Sequence, residues 1–339
     1  MKILFNTYPT AFQNPGGGEV IILKLKEYLE KKGHSVDLFN QWEHKISEYD
    51  LVHEFSLLSW RNWNYYKLEK RPFVLTPTSW IRTSKSYKLK YYAKEKFKIF
   101  LSNNGSYPSL INEINLPDMI CPTTQLESER MISFYGDDLA HKTKVIHNGI
   151  DIIDVNKVDT SEFIQKFKPK ENFLIFVGSL RPNKNVEVAI EMAKSLSRQI
   201  FIIGSDSKDF SEYFQKIKKY ESEDVVFTGY IKNGSNLLAA AYKLASAIII
   251  PSDFETCSLV GLEAGCFGTP SFITKYGGTK EIYKNHATYI DPKNIDQCVK
   301  SIQELNSEKN SVLQEFVQEN YSWEKITNDY LKVYEKVTK

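Results

Sequence analysis

Short apolar, β-branched runs alternate with amphipathic helical stretches along the whole chain, and the alternation restarts half-way through its 339 residues. Such a pattern cannot close a sandwich or a helical bundle; it calls for parallel sheets with helices on both faces. In the first half, Lys2–Asn6, Ser35–Phe39, Leu51–His53, Phe73–Thr76, Met119–Pro122 and Lys144–His147 read as strands. Pro15–Gly18 reads as a turn, and Val20–Lys32 as a helix stopped by Gly33. Asn148-Gly149 is a turn, and the polar residues 151–170 read as a linker with a short helix. Strands then resume at Phe173–Val177, Gln199–Ile203, Val225–Thr228, Ala247–Ile250 and Thr288–Ile290, with helices between them. Trp323–Val337 is a last helix with an aromatic stripe. The expected fold is α/β: two Rossmann-like doubly wound domains, 1–152 with a returning segment 321–339, and 153–320. Ligands of such sheets bind outside the carboxyl ends of the strands.

Composition narrows the class. The chain is 42% hydrophobic and 25% charged, the balance of a soluble globular protein. Cys121, Cys257, Cys266 and Cys298 are scattered, with no CxxC and no Cys/His cluster, so they read as reduced thiols of a cytoplasmic protein. The opening MKILFNTY is strand rather than signal peptide, and no apolar run approaches the ~20 residues of a membrane span. Charge is uneven. Residues 61–100 hold eleven Lys and Arg against Glu69 and Glu95, a local +9 on a chain of net charge +2. This run is either a solvated helix face or a dock for an anionic membrane or phosphate-bearing acceptor, peripheral at the inner face of the cell membrane. No motif for nucleic acid accompanies it.

The richest segment is Pro251–Glu281, where a buried strand enters a polar loop, a small-residue helix and a Gly-Thr-Pro exit. Glu255 lies in the loop and Glu263 in the helix. On one helix, eight residues would rotate them by roughly 80°, which argues against a glycosidase-type carboxylate pair. A helix beginning near Ser258 would instead offer the N–H groups of Cys257, Ser258 and Leu259 to an anion such as a diphosphate. Glu263 could then accept from vicinal hydroxyls, leaving Glu255 to the rest of the ligand. Gly178–Asn185 (GSLRPNKN) adds Arg181 and Lys184 at another strand end. Gly16-Gly17-Gly18 permits close approach to a phosphate or is a flexible turn; it is not the G-x-G-x-x-G fingerprint of an NAD enzyme.

Together these residues resemble the retaining glycosyltransferases of family 4 (group 1), which have the GT-B fold and a Glu-x7-Glu signature. The resemblance rests on Pro15–Glu19, KKGHSV (31–36), VIHNGID (145–151), VGSLRPNKN (177–185) and VVFTGYI (225–231). Ile250-Pro251-Ser252, the signature, Gly268-Thr269-Pro270 and Gly277-Gly278-x-x-Glu281 complete it. The resemblance implies two facing domains with a cleft between them. It implies a retaining, metal-independent transfer of a sugar from a nucleotide-diphosphate sugar, UDP-sugar favoured, to a saccharide or lipid-linked acceptor in polysaccharide or glycoconjugate assembly. No cofactor is implied beyond the nucleotide-sugar co-substrate, and no Asp-x-Asp is present to suggest a metal.

By the same resemblance Glu263 would hold the ribose and Glu255 the transferred sugar. Ser258 and Leu259, with Arg181 and Lys184, would hold the diphosphate, flanked by Ser179, Thr256 and Cys257. Tyr230 and Ile231 would meet the base, and Gly17 and Gly18 would approach the diphosphate from the other domain. Glu19, Trp60 and Thr78 would face the acceptor, with Trp63, Tyr65 and Tyr66 as further aromatic platforms or as packing. The chain departs from the family pattern at Ser179, where an Arg is usual, at Thr256-Cys257-Ser258 for Gly-Phe-Gly, and at Thr78 for a His. The rival readings are a catalytically silent GT-B-like binding or chaperone subunit and a nucleotide-sugar epimerase.

Overall fold

A computed structural model describes residues 1–339 except 14–15, 59–62, 79–80, 82, 102–108, 206–209 and 305–307, with backbone alone for 98–101. The chain divides into two compact units, Met1–Gly149 with Trp323–Lys339, and Ile150–Ser322. The division falls three residues before the one read from sequence, because Ile150 bridges Ser322 and donates to the Tyr321 carbonyl at 2.7 Å.

The first unit is built on five parallel strands: β1 (Lys2–Thr7), β2 (Ser35–Leu38), β3 (Leu51–Phe55), β4 (Phe73–Thr76) and β5 (Met119–Ile120). Their order is β2-β1-β3-β4-β5, so the sheet reverses direction between β1 and β3. Every residue of β3 and β4 is buried, as a central strand covered by helices on both faces requires. β3 extends two residues beyond His53, through Glu54 and Phe55. Both polar side chains are fully enclosed and satisfied there. His53 bonds the Tyr334 hydroxyl at 2.6 Å and Thr76 Oγ1 at 2.9 Å, and Thr76 in turn bonds Tyr330 at 3.1 Å. Burial holds the imidazole well below its ordinary pKa, so it is neutral. Glu54 accepts from Asn6 Nδ2 at 3.0 Å and from the Tyr66 hydroxyl at 2.9 Å.

Tyr330 and Tyr334 belong to the helix Trp323–Thr338, which packs on the first unit beside the helix Gly17–Lys31. Gly149 admits this return: a Cβ there would lie 2.6 Å from the Trp323 ring.

The first unit departs from some readings and decides between others. Gly17 and Gly18 form the first helical turn rather than a flexible loop. Glu19 is buried, accepting from Gly16 N–H and the Tyr8 hydroxyl, each at 2.6 Å, so its carboxylate fastens the helix start. Residues 144–147 form no strand, because only Thr143 bridges β5. Trp63 and Tyr66 are core side chains, packed on Phe73, and offer no platform; Tyr65 is exposed. Trp60 lies outside the described residues.

The second unit carries six parallel strands: β6 (Leu174–Val177), β7 (Ile200–Ile203), β8 (Val225–Gly229), β9 (Ala247–Ile250), β10 (Ser271–Thr274) and β11 (Thr288–Ile290). The order is β11-β10-β9-β6-β7-β8. Renumbered within the unit this is 3-2-1-4-5-6, the dinucleotide-fold order, with its reversal between β6 and β9. Ile175 and Ile248 face one core layer, and Leu174, Ala247 and Ile249 the other. The two layers leave the strand ends to position the polar loops.

Candidate active site

The loops after β6 and β9 leave the sheet on either side of its reversal, where an α/β sheet opens a crevice. They are stapled together. Asn185 Nδ2 donates to the Pro251 carbonyl and to Asp253 Oδ1, both at 2.9 Å, and Asp253 N–H donates to the Asn183 carbonyl at 2.9 Å. Asn185 can reach both because it stands in the left-handed region, φ 48°, closing the turn Pro182–Lys184. Asn tolerates that conformation better than other side chains.

The staple sets Lys184 against Glu255. Lys184 Nζ lies 2.5 Å from Glu255 Oε1, and the Ser252 hydroxyl donates to the same oxygen at 2.5 Å. The Glu255 backbone is clamped from the far side: its N–H donates to Tyr276 O at 3.1 Å, and its carbonyl accepts from Gly278 N–H at 2.9 Å. Gly277 makes the clamp fit, since a Cβ there would fall 1.9 Å from the Glu255 carbonyl and its φ is +100°.

Arg181 takes the other side of the loop. Its guanidinium sits over the Phe210 ring at 5.7 Å, and its buried Nε has no hydrogen-bond partner among the described residues. The two cations of this loop therefore lean apart, Lys184 toward the β9 loop and Arg181 toward the segment after β7. Ser179, two residues before Arg181, is half-buried and accepts from Arg181 N–H through its carbonyl, at 3.0 Å.

The helix Leu259–Cys266 starts one residue later than its sequence suggests, with Ser258 as N-cap at φ 57°. Ser258 is an unusual cap. Its hydroxyl is buried with no partner among the described residues and makes no capping bond, so the helix start has no side-chain cap, although Gly261 N–H donates to the Ser258 carbonyl at 3.1 Å. Its carbonyl is pinned by the buried Tyr283 hydroxyl at 2.7 Å. The same hydroxyl would lie 2.4 Å from a Cβ at position 261, which keeps that position glycine. Cys257 is buried, and Thr256 and Leu259 are half-buried.

Glu263 lies on the second turn. Its Oε2 accepts from the Tyr242 hydroxyl at 2.7 Å and its Oε1 from Asn233 Nδ2 at 3.0 Å. Burial pushes its carboxyl above the ordinary carboxylate range, and the two hydrogen bonds pull it partly back. Asn233 follows β8 in the segment that also holds Tyr230, which is exposed, and Ile231, which is buried. The structure thus places Lys184 after β6 and Glu255, Ser258 and Glu263 after β9, beyond the carboxyl ends of the sheet's central pair of strands. Thr78 lies in the first unit, exposed and left-handed at φ 43°.

Sequence reasoning met Ser252 only within the Ile250-Pro251-Ser252 match and passed over Asn233 and Tyr283. Asn233 is a small polar residue in a loop, with nothing to mark it before its partner is known. Tyr283 reads as an ordinary apolar position on a short helix. Gly277 carried a visible signal, a Gly-Gly at a strand exit.

Residues 157–323 match the family of glycosyl transferases group 1. The match takes in nearly the whole second unit and every second-unit residue singled out above. An uncharacterized glycosyltransferase of Methanocaldococcus jannaschii is 32% identical over 216 residues, 57% of this chain and 54% of that protein. The O-antigen chain mannosyltransferase of Salmonella typhimurium is 30% identical over 174 residues, 50% of this chain and 48% of its own. The chain thus spans about half the length of these curated relatives. Among solved structures, Anabaena HepE in complex with UDP superposes with a TM-score of 0.74 at 17% identity, over 99% of this chain and 100% of that one. A glycosyltransferase from Rickettsia africae gives 0.77 at 16% identity, over 100% and 98%. The fold is the GT-B fold of these solved structures, with two parallel-sheet α/β units.

Proposed function

We propose that the chain is a retaining, metal-independent glycosyltransferase that moves a sugar from a nucleotide-diphosphate sugar to a saccharide or lipid-linked acceptor. The observation that carries this reading is the set of groups after the central strands β6 and β9: a cation–carboxylate pair, a helix start with no side-chain cap and a half-sequestered carboxylate. Each suits one part of a nucleotide sugar. Glu263, fixed by Tyr242 and Asn233, presents a carboxylate to the ribose hydroxyls. The turn opening at Ser258 faces the diphosphate, where N–H groups and the helix dipole favour an anion. Arg181 brings a guanidinium whose Nε–H has no partner among the described residues. Tyr230 and Ile231 stand beside Asn233, toward the base.

Lys184 and Glu255 act as a unit. In the free protein the ammonium and carboxylate neutralise each other, and the Ser252 hydroxyl shares the load on one oxygen. A bound diphosphate competes for the ammonium and leaves Glu255 to accept from a sugar hydroxyl. In the reaction the anomeric carbon–oxygen bond to the diphosphate breaks. The acceptor oxygen bonds to the same carbon on the same face, and its proton passes to the departing phosphate oxygen. Lys184, Arg181 and the helix start stabilise the charge that gathers on the leaving group.

UDP is the favoured nucleotide, as in the Anabaena complex. Polysaccharide or glycoconjugate assembly is the favoured setting, in line with the Salmonella mannosyltransferase. Gly17 and Gly18 stay with the donor in this reading, and Thr78 with the acceptor. The test is a panel of UDP-, GDP- and ADP-sugars in EDTA. At least one should be bound and slowly hydrolysed; if none is bound or turned over, a silent binding or chaperone subunit takes its place.

A further inference from the structure

The helix Lys85–Leu101 carries the basic run of the first unit, and its residues 85–97 divide into two unlike faces. One face is fully accounted for. Tyr91 and Tyr92 pack on Phe134 with ring centroids at 5.4 and 6.0 Å, and the Tyr92 hydroxyl donates to the Phe134 carbonyl at 3.0 Å. Lys88 Nζ donates to the Ser133 carbonyl at 2.7 Å, and the buried Glu95 accepts from Ser109 at 2.8 Å. These contacts fix the rotation of the helix about its own axis.

The opposite face is exposed. Leu89 (72%), Ala93 and Phe97 (61%) follow one another at four-residue spacing, which keeps them within one stripe of the helix surface. At about 100° per residue, Lys90 and Lys94 fall on one side of that stripe and Lys85 and Lys96 on the other, all four exposed. An apolar stripe edged on both flanks by lysines suits a helix lying in the plane of an anionic bilayer. The rings and methyls enter the acyl boundary while the ammonium groups reach the phosphates. No helix among the described residues is long and apolar enough to cross a membrane, so this contact would lie along the surface.

We propose that this face seats the first unit on an anionic phospholipid surface, through Leu89 and Phe97 as wedges and the four lysines as charge contacts. A nucleic acid or a soluble anionic polymer would use the lysines and leave the apolar stripe idle. The proposal stands apart from the transferase reading, because none of these side chains belongs to the second unit.

The test is flotation of the whole chain with phosphatidylcholine vesicles, with and without about 30% phosphatidylglycerol. The wild-type chain should float with the anionic vesicles at least tenfold more than with the neutral ones. The double variant L89S/F97S and the quadruple variant K85Q/K90Q/K94Q/K96Q should each lose at least tenfold. Thermal melts should be unchanged, because every replaced side chain is exposed; should L89S/F97S misfold, Leu89→Gln alone carries the same readout. Wild-type protein that stays below the anionic vesicles overturns the proposal, as does apolar or lysine variants floating like wild type. Nucleotide-sugar binding, measured in parallel on the same variants, should be unaltered and reports separately on the second unit.

Discussion

The two units enclose carboxylates for opposite purposes. In the first, Glu19, Glu54 and Glu127 are buried and spent on neighbours: Glu19 on Gly16 and Tyr8, Glu54 on Asn6 and Tyr66, Glu127 on Thr123 through both N–H and hydroxyl. They fasten helix starts and strands to one another. In the second unit Glu255 and Glu263 lie in the loop and helix after β9, less fully buried than those three and held by polar side chains of neighbouring loops. Glu255 has both of its side-chain bonds on Oε1, to Lys184 and Ser252. A carboxylate surrounded by its own fold is architecture, and one held at a sheet's reversal is chemistry in waiting.

Breaking the second unit's side of this contrast should give the largest effect. Lys184→Ala removes the cation from the leaving group, so kcat should fall by about 10²–10³, the range for losing one preorganised charge contact, with donor affinity changed far less. Steady-state kinetics against the donor separates the two. An equal fall in affinity and in kcat would move Lys184 from the reaction to mere binding.

On the first unit's side, His53→Leu should cost stability and leave donor affinity alone. It strands the Tyr334 hydroxyl and one bond of Thr76, at about 1–3 kcal/mol for each buried group left unsatisfied. A thermal melt alongside a donor titration checks both halves.

Acid should act on the two regions differently. His53 has a folded pKa well below the unfolded value of 6.5, so its contribution to stability is present above that value and is lost as pH falls through the window beneath it. Glu263 shifts the other way. Its folded carboxyl titrates above the ordinary 4.5, so stability falls as pH rises through that window, while nucleotide affinity rises because the ribose needs the carboxylate. Melts and donor titrations across mildly acid pH should therefore show opposite slopes for Glu263. The smallest effect sharpens the same point. Tyr242→Phe deletes one hydrogen bond that favours the charged form, moving the Glu263 titration upward and weakening the donor by about tenfold or less near neutral pH. Donor titration at two pH values measures it.

The contrast also explains what could be read in advance. The central strands were legible because β4, β7 and β9 are short apolar runs buried on both faces, and a doubly wound sheet follows from alternation and right-handed crossovers. Glu255, Glu263, Arg181 and Lys184 stood out by their spacing around strand ends. His53 and Glu54 did not. A polar pair reads as the end of a strand, and the partners that bury it, Tyr334 and Tyr330, come from the far end of the chain. Trp63 and Tyr66 stayed open between platform and packing for the same reason: aromatic residues in a polar stretch are decided only once Phe73 is placed against them. Long-range partners decide whether a polar or aromatic side chain is buried, and spacing along the chain does not contain them.

The central claim, that the second unit holds a nucleotide sugar by its ribose at Glu263, is tested most directly by calorimetric titration of the wild-type chain and Glu263→Ala with UDP-, GDP- and ADP-sugars in EDTA. Wild type should bind at least one of them. The variant should bind the same donor about 10- to 100-fold more weakly, the loss of hydrogen bonds to a charged acceptor. Equal affinity in the two proteins, or no binding to either, would contradict the account.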